Sequence, residues 1–143
     1  MTQEDKELLM KDLCARLPYE VFCNIGLDYP LPLQSLFVDK LDGILLDFYK
    51  DGKDYQVYLS EVKPYLFPLS SMTDAEQEEL EQEHSKDEML YIECLERAAK
   101  GDNSMRGKVI THYAMDWCNK NHFDYRGLIE KGLAIDATSL NIY

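Results

Sequence analysis

The stretch GILLDFYKDGKDYQVYL, residues 43–59, decides the fold. Apolar and polar residues alternate on both sides of Asp51-Gly52, a dipeptide that supplies the positive φ angles of a type I′ turn. Counting outward from the turn places three apolar pairs on one face: Phe48 with Tyr55, Leu46 with Val57, and Ile44 with Leu59. A slip of one residue would expose the whole set, so the sequence predicts a β-hairpin of fixed register.

The residues before the hairpin supply a helix and two strands. Residues 3–16 are predicted as a helix that Thr2 caps and Pro18 stops, with leucines along one face. Residues 20–25 and 33–38 have the apolar spacing of strands. Together with the hairpin, these segments predict a small antiparallel sheet of three or four strands.

The segment after the hairpin contains two prolines and a helix-capping motif. Residues 61–73 contain Pro64 and Pro68, and because proline has no N–H to donate, we predict an extended connector here and neither a helix nor a central strand. Thr73 and Glu76 have the T-x-x-E spacing of a capping box, which predicts a helix from about residue 74.

The second half of this helix is predicted over 86–99, and the helix is either continuous or broken near His84, where Ser85 and Glu88 could form a second capping box. A further helix is predicted over 104–120. A short helix is predicted over 125–131, capped by Asp124 and ended by Gly132. Residues 133–137 are predicted as a short strand or docking segment. Each polar residue of the stretch 120–138 then has a structural role in closing the fold.

The order of helix, strands and helices predicts an α+β fold, and 143 residues fit one domain over 1–143. Its expected parts are a β-rich part over about 18–62, a connector over 62–73, a helical part over about 74–132 and an extended segment over 133–143.

Charge is the distinctive outward feature of the sequence. The formal net charge is −12, and residues 74–102 hold eleven acidic against three basic residues, so −8 of it lies in that segment. Such a chain is a poor direct ligand for nucleic acid or an anionic membrane, and it suits a basic protein partner. The candidate partner-binding residues are Glu78, Glu79, Glu81 and Glu83. The competing interpretation is a solvated helix face.

Location and redox state follow from composition. There is no apolar run of membrane-spanning length, and the N-terminus is acidic and amphipathic, unlike a secretory signal, so we expect a cytoplasmic protein. The four cysteines, Cys14, Cys23, Cys94 and Cys118, form no C-x-x-C pair. We therefore expect reduced, mostly buried thiols and no metal site.

An alternative site is suggested by His112 and Asp116, four residues apart on a predicted helix, together with His122. Cys118 with His122 has the residue types of a nucleophile and base, but nothing in the sequence marks the thiol as activated. The chain has no Gly-rich phosphate loop, G-x-S-x-G or H-E-x-x-H motif. We therefore assign no catalytic residue and no cofactor.

Three segments, DLCARLPY (12–19), VKPYLFPLSSMT (62–73) and CNKNHFDYRGLIEKGLAIDA (118–137), resemble a family of small uncharacterised Bacteroides proteins found in phage-like or mobile regions. The resemblance implies a bacterial or phage protein, and it transfers no catalytic or binding residue. Glu20 departs from the glycine that the family pattern leads us to expect after RLPY.

The sequence therefore favours a small acidic protein-interaction protein without enzymatic activity. The alternative is an enzyme or small-molecule binder with a site between the sheet and the C-terminal helices. A structural or assembly subunit is a third interpretation, and the oligomeric state is not fixed by the sequence.

Overall fold

The computed structural model describes residues 1–40, 43–84, 100–101 and 112–143. The helices are α1 (Gln3–Arg16), α2 (Asp74–His84) and α3 (His112–Lys120). The strands are β1 (Phe22–Asn24), β2 (Leu31–Asp39), β3 (Gly43–Lys50), β4 (Lys53–Tyr58), β5 (Lys63–Pro68), β6 (Phe123–Asp124) and β7 (Ile135–Asp136). Short 3₁₀ turns lie at Leu17–Tyr19, Leu59–Glu61 and Leu69–Ser71.

The predicted cap of α1 is confirmed. The Asp5 N–H donates to Thr2 Oγ1 at 3.0 Å, and the Thr2 N–H donates to the Asp5 carboxylate at 3.2 Å. This reciprocal pair is a capping box, and it satisfies two backbone donors at the start of the helix.

The predicted hairpin is confirmed in turn and in register. Asp51 and Gly52 have φ values of 52° and 81°, and Phe48 pairs with Tyr55 while Leu46 pairs with Val57. The predicted third pair differs, because β4 ends at Tyr58 and the chain turns into a 3₁₀ turn at the next residue. Leu59 is nevertheless buried there, so the turn keeps that apolar side chain in the core.

The sheet is larger than the three or four antiparallel strands predicted. Its order is β4-β3-β2-β1-β5-β6, and β7 also pairs with β5. Strand β5 is antiparallel to β1 but parallel to β6 and β7, so the sheet is mixed. The fold is α+β with an N-terminal helix and later helices, as predicted, but with more strands.

The prediction of an extended connector over 61–73 is wrong for its first half, since Lys63–Pro68 is strand β5 inside the sheet. The two prolines occupy the second and last positions of this strand. The amides between them remain free to pair, and the Phe67 N–H donates to the His122 carbonyl at 2.8 Å. Proline is therefore tolerated because it avoids the positions that donate.

The predicted helix over 125–131 is also wrong, because these residues form turns. Gly127 has a φ of 77°, which a right-handed helix does not allow. Asp124 still binds the backbone: its carboxylate accepts from the Leu128 N–H at 3.0 Å and from the Ile129 N–H at 2.8 Å. The short strand predicted over 133–137 is confirmed as β7.

Of the predicted helix over 104–120, the structure describes the C-terminal half as α3. The helix predicted over 86–99 and the capping box of Ser85 and Glu88 lie outside the described residues, as does the break predicted after His84.

Two apolar clusters fill the described interior. The first joins α1 to the inner face of the sheet and to the C-terminal segment, and its fully buried members include Leu9, Leu13, Cys23, Leu46 and Leu128. The second lies under α2 and α3 and contains Leu69, Leu80, Ala114, Trp117, Cys118, Phe123 and Tyr125. None of the described helices combines the length and apolarity that a membrane span needs.

Candidate functional site

The acidic face, defined as Glu78, Glu79, Glu81 and Glu83, lies on α2. The helix begins with the predicted capping box, in which the Glu76 N–H donates to Thr73 Oγ1 at 3.2 Å and the Thr73 N–H donates to the Glu76 carboxylate at 3.1 Å. Leu80 is buried in the second cluster and fixes the rotation of the helix. That rotation leaves Glu78 and Glu79 exposed and the other two glutamates half-buried.

The residues of the alternative site are placed differently from one another. Asp116 is exposed on α3, and His122 lies two residues beyond the end of that helix, partly buried. The side chain of His112 lies outside the described residues. Trp117, on the opposite side of α3 from solvent, stacks on Phe123 with ring centroids 5.4 Å apart, which is the core role expected for it.

His122 is held in a packed, neutral state. Its ring stacks on Tyr143 with centroids 3.7 Å apart, and its backbone has a φ of 64°. Burial, and secondarily the positive charge of Arg16, lower the pKa of His122 to about 4. The ring is therefore uncharged at neutral pH, and its buried Nδ1 atom has no hydrogen-bond partner in the structure.

Burial also makes the Cys118 thiol unreactive. It is fully buried, and burial raises its pKa to about 12. A nucleophilic cysteine needs thiolate near neutral pH, and an environment that favours thiolate lowers the pKa instead. A nucleophile–base pair of Cys118 and His122 is therefore not favoured.

A buried ion pair, which the sequence analysis did not identify, joins α1 to the end of the chain. Asp12 and Arg16 are both fully buried, and the Arg16 guanidinium donates to the Asp12 carboxylate through Nε at 2.7 Å and Nη2 at 3.1 Å. Arg16 also donates to two carbonyl oxygens, those of Cys118 at 3.2 Å and Phe123 at 2.7 Å. One side chain thus connects the first helix with α3 and β6.

Arg126 also contacts the Asp12 carboxylate of this cluster. Its Nε atom lies 3.2 Å from the Asp12 carboxylate, at an angle that does not make a hydrogen bond. Its Nη2 atom donates to the Tyr125 hydroxyl at 2.7 Å, and its guanidinium stands over the Tyr125 ring at 4.6 Å. The Asp12 carboxylate therefore lies between two arginines.

The signal for this cluster was present in the sequence. Leu9, Asp12, Leu13 and Arg16 follow the spacing of one helix face, so the two charged residues lie on the apolar stripe. An i, i+4 acid–base pair in that position predicts a buried pair rather than a surface pair. Within the stretch 120–138, the cluster explains Tyr125 and Arg126 as contacts that close the fold.

A separate concavity of about 980 Å³ lies between α1 and the end of the hairpin. Its walls come from α1, from the ends of β2 and β3, and from the turn after β4. We call it the α1–hairpin groove. The small-molecule site predicted from the sequence is a different one, between the sheet and the C-terminal helices.

Within the described part of the chain, no group of three or more His, Cys, Asp or Glu side chains is placed to hold a metal ion. No family model, curated protein or solved structure matches this chain. The comparisons therefore assign no role to any residue.

Proposed function

We propose that this chain is a small protein-interaction protein of bacterial phage or mobile-element origin, acting in the cytoplasm without enzymatic activity. It binds a basic protein partner through the acidic face of α2. The observation that carries the proposal is the presentation of Glu78 and Glu79 to solvent on a helix that is capped at Thr73 and anchored by Leu80.

The electrostatics support this choice of surface. The segment that contains the acidic face, residues 74–102, carries two-thirds of the net charge, so the negative charge is concentrated in one part of the sequence. A concentrated potential accelerates the encounter with an oppositely charged partner and selects against acidic ones. By contrast, Asp124 and Tyr125, near the C-terminus, have side chains that are buried and engaged in internal contacts.

Charge reversal tests the proposal. The double variant Glu78→Lys/Glu79→Lys changes only exposed side chains and is expected to lose partners that the wild-type protein captures from a Bacteroides lysate at low salt. Because such contacts are screened, raising the salt concentration should release the same partners from the wild-type protein.

A matched control separates a local surface from net charge. Asp28→Lys/Asp54→Lys changes the net charge equally at two exposed acids outside α2. It should retain the partners. If both double variants lost the captured partners equally, the effect would come from the net charge and not from the acidic face. Unchanged capture of partners by Glu78→Lys/Glu79→Lys would refute the proposal.

A further inference from the structure

The α1–hairpin groove is open to solvent and is built from two kinds of surface. Its apolar lining is contributed by Met10, Val38, Ile44, Tyr58 and Leu59, and its polar lining by Gln3, Lys6, Glu7, Lys11 and Ser60. An apolar floor with a few polar groups at the margin is the usual composition of a small-ligand site.

The helical wall carries one lysine at each edge. At 100° per residue, Lys6 lies about 40° to one side of Met10 and Lys11 about 100° to the other, with Gln3 and Glu7 between Met10 and Lys11. Neither lysine forms an ion pair with any residue in the described ranges. The groove therefore presents two available ammonium groups on a chain whose net charge is −12.

The acid between these lysines is engaged within the helix. The Gln3 side-chain amide donates to the Glu7 carboxylate at 3.0 Å. This hydrogen bond holds the carboxylate next to the first turn of α1, and the lysines outnumber it two to one in the lining. Among the described lining residues, positive charges therefore outnumber negative charges by one.

The sheet wall leaves aliphatic surface uncovered. Val38 is 66% exposed, and Ile44, with which it pairs across β2 and β3, is only partly buried. Tyr58, 45% exposed, closes one end of the groove. The ligand that matches this surface has an apolar chain and an anionic end.

We propose that the α1–hairpin groove binds a single-chain amphiphile with an anionic head group, of the fatty-acid class. The acyl chain lies along Met10, Val38 and Ile44, and the head group is bound by Lys6 or Lys11. This site is independent of the proposed function, because it lies on a different surface of opposite charge.

The shape of the surface favours a small ligand over a protein partner. The groove's volume of about 980 Å³ is at the upper end of the range for small-ligand pockets, roughly 300–1,000 Å³. Protein interfaces are instead anchored by aromatic and arginine side chains, whereas the described lining of this groove contains one aromatic residue, Tyr58, and no arginine.

Calorimetry with saturated fatty acids, each below its micelle concentration, tests the proposal. Dodecanoate should bind saturably with one site per chain. Each CH₂ removed from the ligand should weaken binding by about fourfold, since the transfer free energy of the chain is lost stepwise. Dodecyltrimethylammonium, which has the same chain with a cationic head, should bind far more weakly. Equal binding of the two, or no binding of dodecanoate, would overturn the proposal.

Variants locate the site. Val38→Asp places a carboxylate in the groove at a largely exposed position and should weaken dodecanoate binding by about tenfold or more. Lys6→Gln/Lys11→Gln should weaken it by about two- to fivefold, the effect of an exposed ion pair. Tyr49→Asp, at an exposed position outside the groove, is the matched control. Loss in the control alone, or wild-type affinity in both groove variants, would place the ligand elsewhere.

The variant Glu78→Lys/Glu79→Lys should bind dodecanoate as the wild-type protein does. The two proposals can therefore fail separately.

Discussion

Glu20 occupies a backbone conformation that side chains with a Cβ atom rarely adopt. Its φ and ψ are both 57°, at the residue where the 3₁₀ turn after α1 reverses into β1. The left-handed region costs an L-residue about 1–2 kcal/mol, and glycine avoids this penalty. Glycine is the residue that this geometry favours.

We predict that Glu20→Gly raises the free energy of unfolding. The gain should be about 0.5–1 kcal/mol, because the relief of backbone strain exceeds the added entropy of the unfolded chain. Urea denaturation followed by circular dichroism measures it. Glu20→Ala is the control: it removes the same charge but keeps the Cβ, so it should not stabilise. A gain of equal size in both variants would assign the effect to the charge.

His122 gives the protein a pH dependence of known sign. Its pKa is lowered to about 4 in the folded state, while the unfolded chain binds the proton near pH 6.5. The unfolded state thus takes up more protons between these values, and stability is lost as the pH falls from 6.5 towards 4. With allowance for the partial exposure of the ring, the loss is about 1–2 kcal/mol.

We predict that His122→Asn removes this part of the pH dependence. Asparagine tolerates the positive φ and carries no titratable group, so the backbone conformation is retained. Denaturation at pH 7 and pH 5 gives the slope for each protein. Because His122→Asn loses the ring stack on Tyr143, the variant should be less stable than the wild-type protein at both pH values. Only the wild-type protein should lose additional stability between pH 7 and pH 5. Identical slopes would show that His122 is not the responsible group.

At the scale of elements, α1 is attached to the rest of the fold by charge as well as by apolar contact. Arg16 spans from Asp12 to the carbonyl groups at Cys118 and Phe123, with no exposure to solvent. Burial by itself would lower the pKa of Arg16, but the Asp12 carboxylate outweighs it and raises the pKa, which keeps the guanidinium charged. Removing one member of such a cluster leaves several buried groups without partners.

We predict that Arg16→Met lowers the free energy of unfolding by about 3–5 kcal/mol, the range for breaking a buried ion pair from one side. Lys131→Met is a matched control, because Lys131 also pairs with an acid of α1, Asp5, at 3.7 Å, but on the surface. It should cost less than about 1 kcal/mol. Similar losses in both variants would mean that the buried cluster contributes no more than a surface contact.

Sequence reasoning succeeded for elements whose causes are local. The Thr2 cap of α1 and the Asp51-Gly52 turn each depend on residues within a few positions, and both appear as predicted. It failed for 125–131, where Asp124 has the chemistry of a helix cap but binds amides further along the chain. A cap motif identifies a backbone acceptor, while the left-handed Gly127 decides that no helix follows.

At the scale of the whole molecule, the part that sequence could not predict is the pairing of β5. Strand β5 pairs with β1 and with the two-residue strands β6 and β7, which hydrogen-bond to opposite edges of it. Strands of two residues carry no periodic signal, and their pairing depends on segments about 55 to 70 positions away. The candidate acidic face was visible in the sequence, but which glutamates are exposed depends on the packing of Leu80.

We predict that the Phe67 amide exchanges its hydrogen slowly, because it donates at 2.8 Å to the His122 carbonyl where β5 pairs with β6. The Gln77 amide, in the first turn of α2, should exchange much faster through local opening. Native-state hydrogen exchange measures both rates against the global free energy of unfolding. Faster exchange at Phe67 than at Gln77 would contradict a stable pairing of β5 with β6.

The acceptors of Arg16 also set the order of events during biosynthesis. They lie 102 and 107 positions downstream, so a ribosome adding about 5–20 residues per second needs roughly 5–20 s to supply them. Throughout that interval the nascent N-terminal half holds an arginine whose native site does not yet exist. Closure of this native contact is consequently a late event in synthesis.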